Sequence, residues 1–353
     1  MGHVSRFVRV RNSGLLSIVF ATVAVLAATP AAATVPGTYV VTPLVLNGTG
    51  GVTQDTNLVN AWGLVAGPTS PWWVSDNGAD LSTLYNAAGA KIPLEVHVAG
   101  APTGVVFNGD TASFQINGAA ARFIFATESG TIAGWVPGTT AAQAMVTSSS
   151  GVYKGLAIAT TDSGPQLYAT DFHNARVDVV DGSWAVQAPS GFVDPKLPSG
   201  YAPFGIQTIG DRIFVTYAKQ TPGSNDETAG PSLGFVDAYD AAGNLLARVA
   251  QRGLLNAPWG LAMAPAGFGV FSGAVLVGNF GDGHINAYQE QPDGTFQLVG
   301  ALRTGDGHKL AIDGLWAIEF GHGATANGKT NTLFFTAGPN DEADGLFGTI
   351  TAA

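Results

Sequence analysis

The sequence predicts an all-β fold, a six-bladed β-propeller, on three observations. A short phrase recurs six times, a β-rich run follows each copy, and no stretch holds a helical period. The copies are AWGLVA at 61–66, PTGVVF at 102–107, YKGLAI at 153–158, PFGIQT at 203–208, PWGLAM at 258–263 and DGLWAI at 313–318. Aligned on their glycines, at 63, 104, 155, 205, 260 and 314, they stand 41 to 55 residues apart. A unit of that size cannot bury its apolar face alone and must stack against copies of itself.

Each phrase reads as an inner strand. The second run of each unit, such as WWVSDN at 72–77, LYATDF at 167–172 or LFFTAG at 333–338, pairs with it across a Gly/Asn/Asp turn. A third run follows, as in ARVDVVDG at 175–182, and some units add a fourth, as in LEVHVAG at 94–100. The last unit has one further strand after LFFTAG, and the orphan run TYVVTPLVL at 38–46 precedes the first unit. We therefore expect 38–46 to complete the last blade and close the ring, since an open sheet edge invites foreign pairing.

Residues 1–33 read as a secretory signal peptide: Arg6, Arg9 and Arg11, an apolar run from Leu15 to Ala28, then Ala31-Ala32-Ala33. Residues 34–353 are expected to form a single propeller domain, secreted or periplasmic, monomeric and without a membrane span after cleavage. Without the leader the chain carries 12 Lys+Arg against 25 Asp+Glu, a formal charge of −13. Such a surface repels phosphate backbones, so nucleic acid is not an expected partner. There is no cysteine, which removes disulfides, thiolate catalysis and Cys-ligated zinc, and leaves the core to supply the stability.

One motif points elsewhere. GHGATANGKTN at 321–331 matches the phosphate-loop pattern through Gly323, Gly328, Lys329 and Thr330. That pattern needs a following helix whose N–H groups and dipole cradle phosphates. Here the strand run LFFTAG follows almost at once, so the match reads as a hairpin loop of the last blade.

The phrases VLVGNFGDGHINAY (275–288), AIDGLWAIEFGHG (311–323) and NTLFFTAGPNDEADGLFG (331–348) resemble an uncharacterised bacterial family of secreted NHL-type six-bladed propellers, some of which carry a PEP-CTERM sorting tail. The sequence given ends at Ala353 with no such tail, and sorting by that route is not expected. More distantly, the blades look like gluconolactonase-type propellers, which implies a divalent-metal hydrolase at the central channel. That family takes ligands partly from the residue directly before the inner-strand glycine. Here those residues are Trp62, Thr103, Lys154, Phe204, Trp259 and Asp313, of which Asp313 alone is a ligand type.

In a propeller the turns entering the inner strand and those leaving the second strand share one face, around the channel. The first set gives Lys154 and three aromatics, Trp62, Phe204 and Trp259, which form a collar suited to sugars or apolar ligands, or else pack between blades. Tyr217 and Asn279 join them from the second set as ligand-binding candidates. Asp76, Glu128 and Asp171 recur at similar blade positions, and with Asp313 could hold Ca²⁺ or another divalent cation; each could instead cap its own turn. Asp171 and His173 are the candidates for acid–base catalysis. GPNDEADG at 338–345 offers a further acidic turn, and KQTPGSNDETAGPS at 219–232 reads as a lid over the channel or a solvated insertion. His284 and His308, each after Gly-Asp-Gly, read as turn neighbours. The expected function is binding of a small molecule, glycan or peptide at the channel mouth. The alternative is a divalent-metal-dependent hydrolase or lyase at the same place.

Overall fold

The structure is a computed structural model that describes residues 37–48, 53–188 and 190–353. The expected leader lies outside the described residues. Six antiparallel sheets follow one another along the chain, with inner strands Ala61–Ala66, Pro102–Phe107, Tyr153–Thr161, Tyr201–Ile209, Pro258–Met263 and Leu315–Phe320. Each inner strand packs on the next, and the sixth returns to the first, so the ring is closed. Helical content among the described residues is limited to two single 3₁₀ turns.

Blades one, two and five have four strands, blades four and six add a two-residue fifth, and blade three has three, ending at Arg176–Asp181. The outer strand of blade six is Tyr39–Leu46, paired antiparallel with Leu346–Ala352 from Tyr39↔Ala352 to Leu46↔Leu346. This is the expected closure. Tyr39 and Val45 are buried in it, and the Tyr39 hydroxyl donates to the carbonyl of Phe268 in blade five at 2.9 Å.

The recurring glycine has a physical reason. A Cβ at Gly63, Gly104, Gly155, Gly205 or Gly260 would collide with the backbone of the next blade's inner strand. The strands converge on the axis there, and only a missing side chain lets the backbones approach. Each inner strand also slips register at this point, as between Ala61 and Leu64 or between Pro258 and Gly260.

That register corrects the sixth phrase. Leu315 pairs with Ala337 and Ile318 with Phe335, just as Ala61 pairs with Asp76 and Leu64 with Val74. Trp316 is therefore the counterpart of Trp62, and Ala317 stands where the other blades have glycine. Gly314, with φ +63, belongs to the turn before the strand, so alignment on that glycine misplaced the unit by three residues. Asp313 falls outside the ring position for the same reason.

The loop GHGATANGKTN lies between the first and second strands of blade six, on the face opposite those turns, and no helix follows it. Gly323 N–H donates to Gly328 O at 2.8 Å. Fully buried Asn327 directs its amide at the carbonyls of Gly67, Pro68 and Ser70, and its Oδ1 accepts from Ala324 N–H at 3.1 Å. What resembles a phosphate loop is a clamp between blades six and one.

Candidate functional site at the channel mouth

The six equivalent inner-strand positions are Trp62, Thr103, Lys154, Phe204, Trp259 and Trp316. Their backbones ring the axis, so large side chains at these places must meet at its centre. Trp62 stacks on Trp316 with centroids 3.6 Å apart, and Trp259 meets both edge-on at 6.4 and 6.0 Å. Phe204 leans on Trp316 at 5.9 Å. The three indoles are at most 9% exposed. They form a plug across the channel, and the cavity beneath it has a volume of about 20 Å³, room for about one water.

Lys154, in a position where four of the six blades carry an aromatic, lies on this plug. Its Nζ is 5.1 Å from the Trp62 ring centre and 2.6 Å from Glu128 Oε1, and the residue is 2% exposed. The Trp259 indole N–H donates to the Lys154 carbonyl at 2.9 Å. The Trp62 indole N–H is buried with no hydrogen-bond partner among the described residues.

Second-strand turns supply the tier above, because their ends are tied to the inner-strand entries of their own blades, as Glu128 N–H is to Ala101 O and Phe280 N–H to Ala257 O. Phe280 stacks on Trp316 at 4.1 Å. Asn77 Nδ2 donates to Glu128 Oε2 at 3.0 Å, linking blades one and two. Asn60, held at φ +47, accepts from the Trp316 indole at 2.8 Å and donates to Asn77 Oδ1 at 3.2 Å and Glu342 Oε2 at 2.7 Å. A left-handed backbone is tolerable for asparagine and aims this amide across the joint between the first and last blades.

The 219–232 segment reaches over the mouth. Asp226 Oδ1 is 3.8 Å from Lys154 Nζ, Glu227 sits on a two-residue strand paired with Lys219 and Gln220, and Gly230 N–H donates to Asn256 Oδ1 at 2.6 Å. Burial alone would push the Lys154 ammonium down, but Glu128, Glu227 and Asp226 hold it above its ordinary value. Burial pushes the Glu227 carboxyl up to about 7 against the pull of Lys154. Glu342 is likewise pushed up by burial, with Lys154 opposing and Glu128 adding to the rise. Four carboxyls thus share one ammonium.

The remaining sequence candidates lie elsewhere. Asp76 is fully buried inside blade one, accepting from Thr83 N–H at 2.8 Å, and burial pushes its carboxyl well above the usual range. Asp171 caps its own turn, accepting from Val152 N–H at 3.2 Å and Asn174 Nδ2 at 2.7 Å, with Arg176 at 3.5 Å. Asp313 is exposed and accepts from Asn340 N–H at 2.9 Å. The four metal candidates Asp76, Glu128, Asp171 and Asp313 are thus not brought together, and no group of three or more His, Asp or Glu able to hold a metal exists among the described residues. The residues present do not fit the single-metal centre that the gluconolactonase resemblance implies. His173 is exposed and bonded to Asn225 Oδ1 at 3.0 Å. Tyr217 points between blades three and four, its hydroxyl 2.6 Å from that of Tyr239. Asn279 holds the turn of blade five, donating to Leu254 O and Asp282 Oδ1 at 2.8 and 3.0 Å. Trp62, Lys154, Phe204, Trp259 and Glu128 do converge.

No family model matches the chain. It is 29% identical over 316 residues to an uncharacterized protein of Acanthamoeba polyphaga mimivirus, covering 84% of this chain and 76% of that one. A second uncharacterized protein of the same virus is 30% identical over 322 residues, covering 86% of this chain and 57% of that longer one. Among solved structures, a streptogramin B lyase superposes with a TM-score of 0.51 at 11% identity, covering 89% of this chain and 97% of that one. The likeness is one of fold. Among the described residues no helix is long and apolar enough to cross a membrane.

Proposed function

We propose that the protein is an exported binding propeller whose lidded channel mouth takes a small cationic ligand, an amine or guanidinium carried by a small molecule or a peptide. The observation that carries this reading is the charge imbalance at the mouth. Glu128, Asp226, Glu227 and Glu342 face a single ammonium, Lys154, itself fixed over an indole plug. Burial raises the Glu227 carboxyl to about 7 against the pull of Lys154, and Glu342 and Asp226 add to the rise, so the mouth carries more carboxyl than one ammonium can balance. A ligand cation would relieve that shortage, and the partnerless Trp62 N–H would favour an acceptor on the same ligand.

Calorimetric titration with spermidine, arginine and cellobiose tests this. The two cations should bind, more weakly as salt rises, and Glu342→Gln should weaken them about fivefold, the order expected for one partly solvated charge pair. Binding of cellobiose with no response to either cation would turn the reading toward a glycan.

A second reading, hydrolase or lyase chemistry at the same mouth, draws support from Glu227, whose carboxyl titrates where a general base works best. A divalent cation would have to be gathered by Glu128, Asp226 and Glu342 as the lid moves. A calcium-dependent rise in melting temperature that Glu342→Gln abolishes would favour it over the binding reading.

A further inference from the structure

The first-to-second-strand turns open on the other face, and there a pocket of about 270 Å³ sits at the far end of the channel. Its walls are apolar: Val65 from blade one, Val105 and Phe107 from blade two, Ile158 from blade three. Its polar side comes from Gln207 and Thr208 of blade four and from Glu319 and His322 of blade six. Val105, Gln207 and Glu319 also line the small cavity under the tryptophan plug, so this pocket is the far mouth of the axis.

The polar groups are set against one another in a specific way. His322 Nε2 lies 3.0 Å from Glu319 Oε1, and the Glu319 side chain is only 15% exposed. Burial raises the Glu319 carboxyl, and Glu319 in turn holds the His322 imidazole above its ordinary value, with a backbone hydrogen bond to Gly67 adding to the effect. The pair therefore neutralises itself. Beside it, the Thr208 hydroxyl is buried with no hydrogen-bond partner among the described residues. An unmet hydroxyl at an apolar wall is costly unless something outside the chain completes it.

The geometry points to a second binding site at this far mouth, for an uncharged, largely apolar molecule that carries a hydroxyl group. The walls provide apolar contact, Thr208 and Gln207 provide the partner for the hydroxyl, and the self-neutralised Glu319–His322 pair offers nothing to balance a net charge. The volume is near the lower end of ordinary ligand pockets, about 300 Å³, and suits a bicyclic aromatic. This inference does not depend on the function proposed for the other mouth.

The probe is 2-naphthol, titrated into the intact chain by calorimetry and followed by tryptophan fluorescence, since the Trp72 ring lies 6.0 Å from that of His322. We expect one equivalent to bind at sub-millimolar concentration and 2-naphthoate to bind at least about tenfold more weakly, as an unpaired charge must be desolvated. Ile158→Trp should fill the pocket and abolish binding. Thr208→Val, which keeps volume and fold, should weaken 2-naphthol about fivefold, the worth of one hydrogen bond. Lys329→Ala, at an exposed position of the GHGATANGKTN loop, should change nothing. No binding of 2-naphthol at 1 mM, equally tight 2-naphthoate, or indifference to Thr208→Val would each overturn the site.

Discussion

Lys154 shows how little of a site a single residue can announce. In the sequence it is one lysine after a tyrosine; in the fold it is a buried ammonium that four carboxyls must share. Its neighbour Glu227 has a testable consequence. A carboxyl whose folded pKa is raised to about 7 resists ionisation in the folded chain more than in the unfolded one. Its contribution to stability is therefore fully present below the unfolded value of about 4.5 and is lost as pH rises towards 7. Glu227→Gln should thus melt several degrees higher than the parent at pH 8 and close to it at pH 4.5, measured by calorimetry. An equal shift at both pH values would mean that Glu227 ionises freely beneath its lid.

At the scale of the strand, the decisive element is the inner strand with its slip of register. The Trp–Gly pairs at 62–63 and 259–260 were legible as members of one repeat, and so was the second strand behind each. The sixth copy was not, because Gly314 offered a better-looking match than Ala317. The indole of Trp316 was consequently missed although Trp316-Ala317 repeats the pattern of Trp62-Gly63. Asn60 gave no signal at all, since its role arises from a left-handed backbone at the joint between the first and last blades. Asp76 and Asp171 were overread. Acid residues at the ends of second strands are as useful for tying turns as for holding ions, and convergence is a property of three dimensions. Gly205→Ala tests the strand argument, since its Cβ would collide with the Trp259 carbonyl. It should destabilise the fold by about 2–3 kcal/mol, in the range of overpacked cores. Gly305→Ala, whose Cβ would meet nothing within 4 Å, should be neutral. Equal melting temperatures for the two variants would refute the role assigned to the glycines.

For the whole molecule, the sequence carried the blade count and the closure, because repetition and alternation are linear properties. It carried the lid as a possibility and the polar network not at all, because that network joins residues up to 282 positions apart. The closing strand makes a prediction at this scale. A chain beginning at residue 53 lacks Tyr39–Leu46 and leaves Leu346–Ala352 as an open edge. It should melt about 10 °C or more below the parent and self-associate, read by size-exclusion chromatography and thermal melting. A monomeric, equally stable product would show that closure contributes little.

The indole plug has one more implication. A propeller is often imagined as a tube, yet here three tryptophans cork it and leave room beneath for about one water. Nothing larger can pass from one face to the other while the cork is seated. The acidic, lidded mouth and the apolar far mouth are chemically insulated compartments on one rigid axle, so one ligand could load without competing with the other, and any conversation between them would have to travel as a tilt of stacked rings.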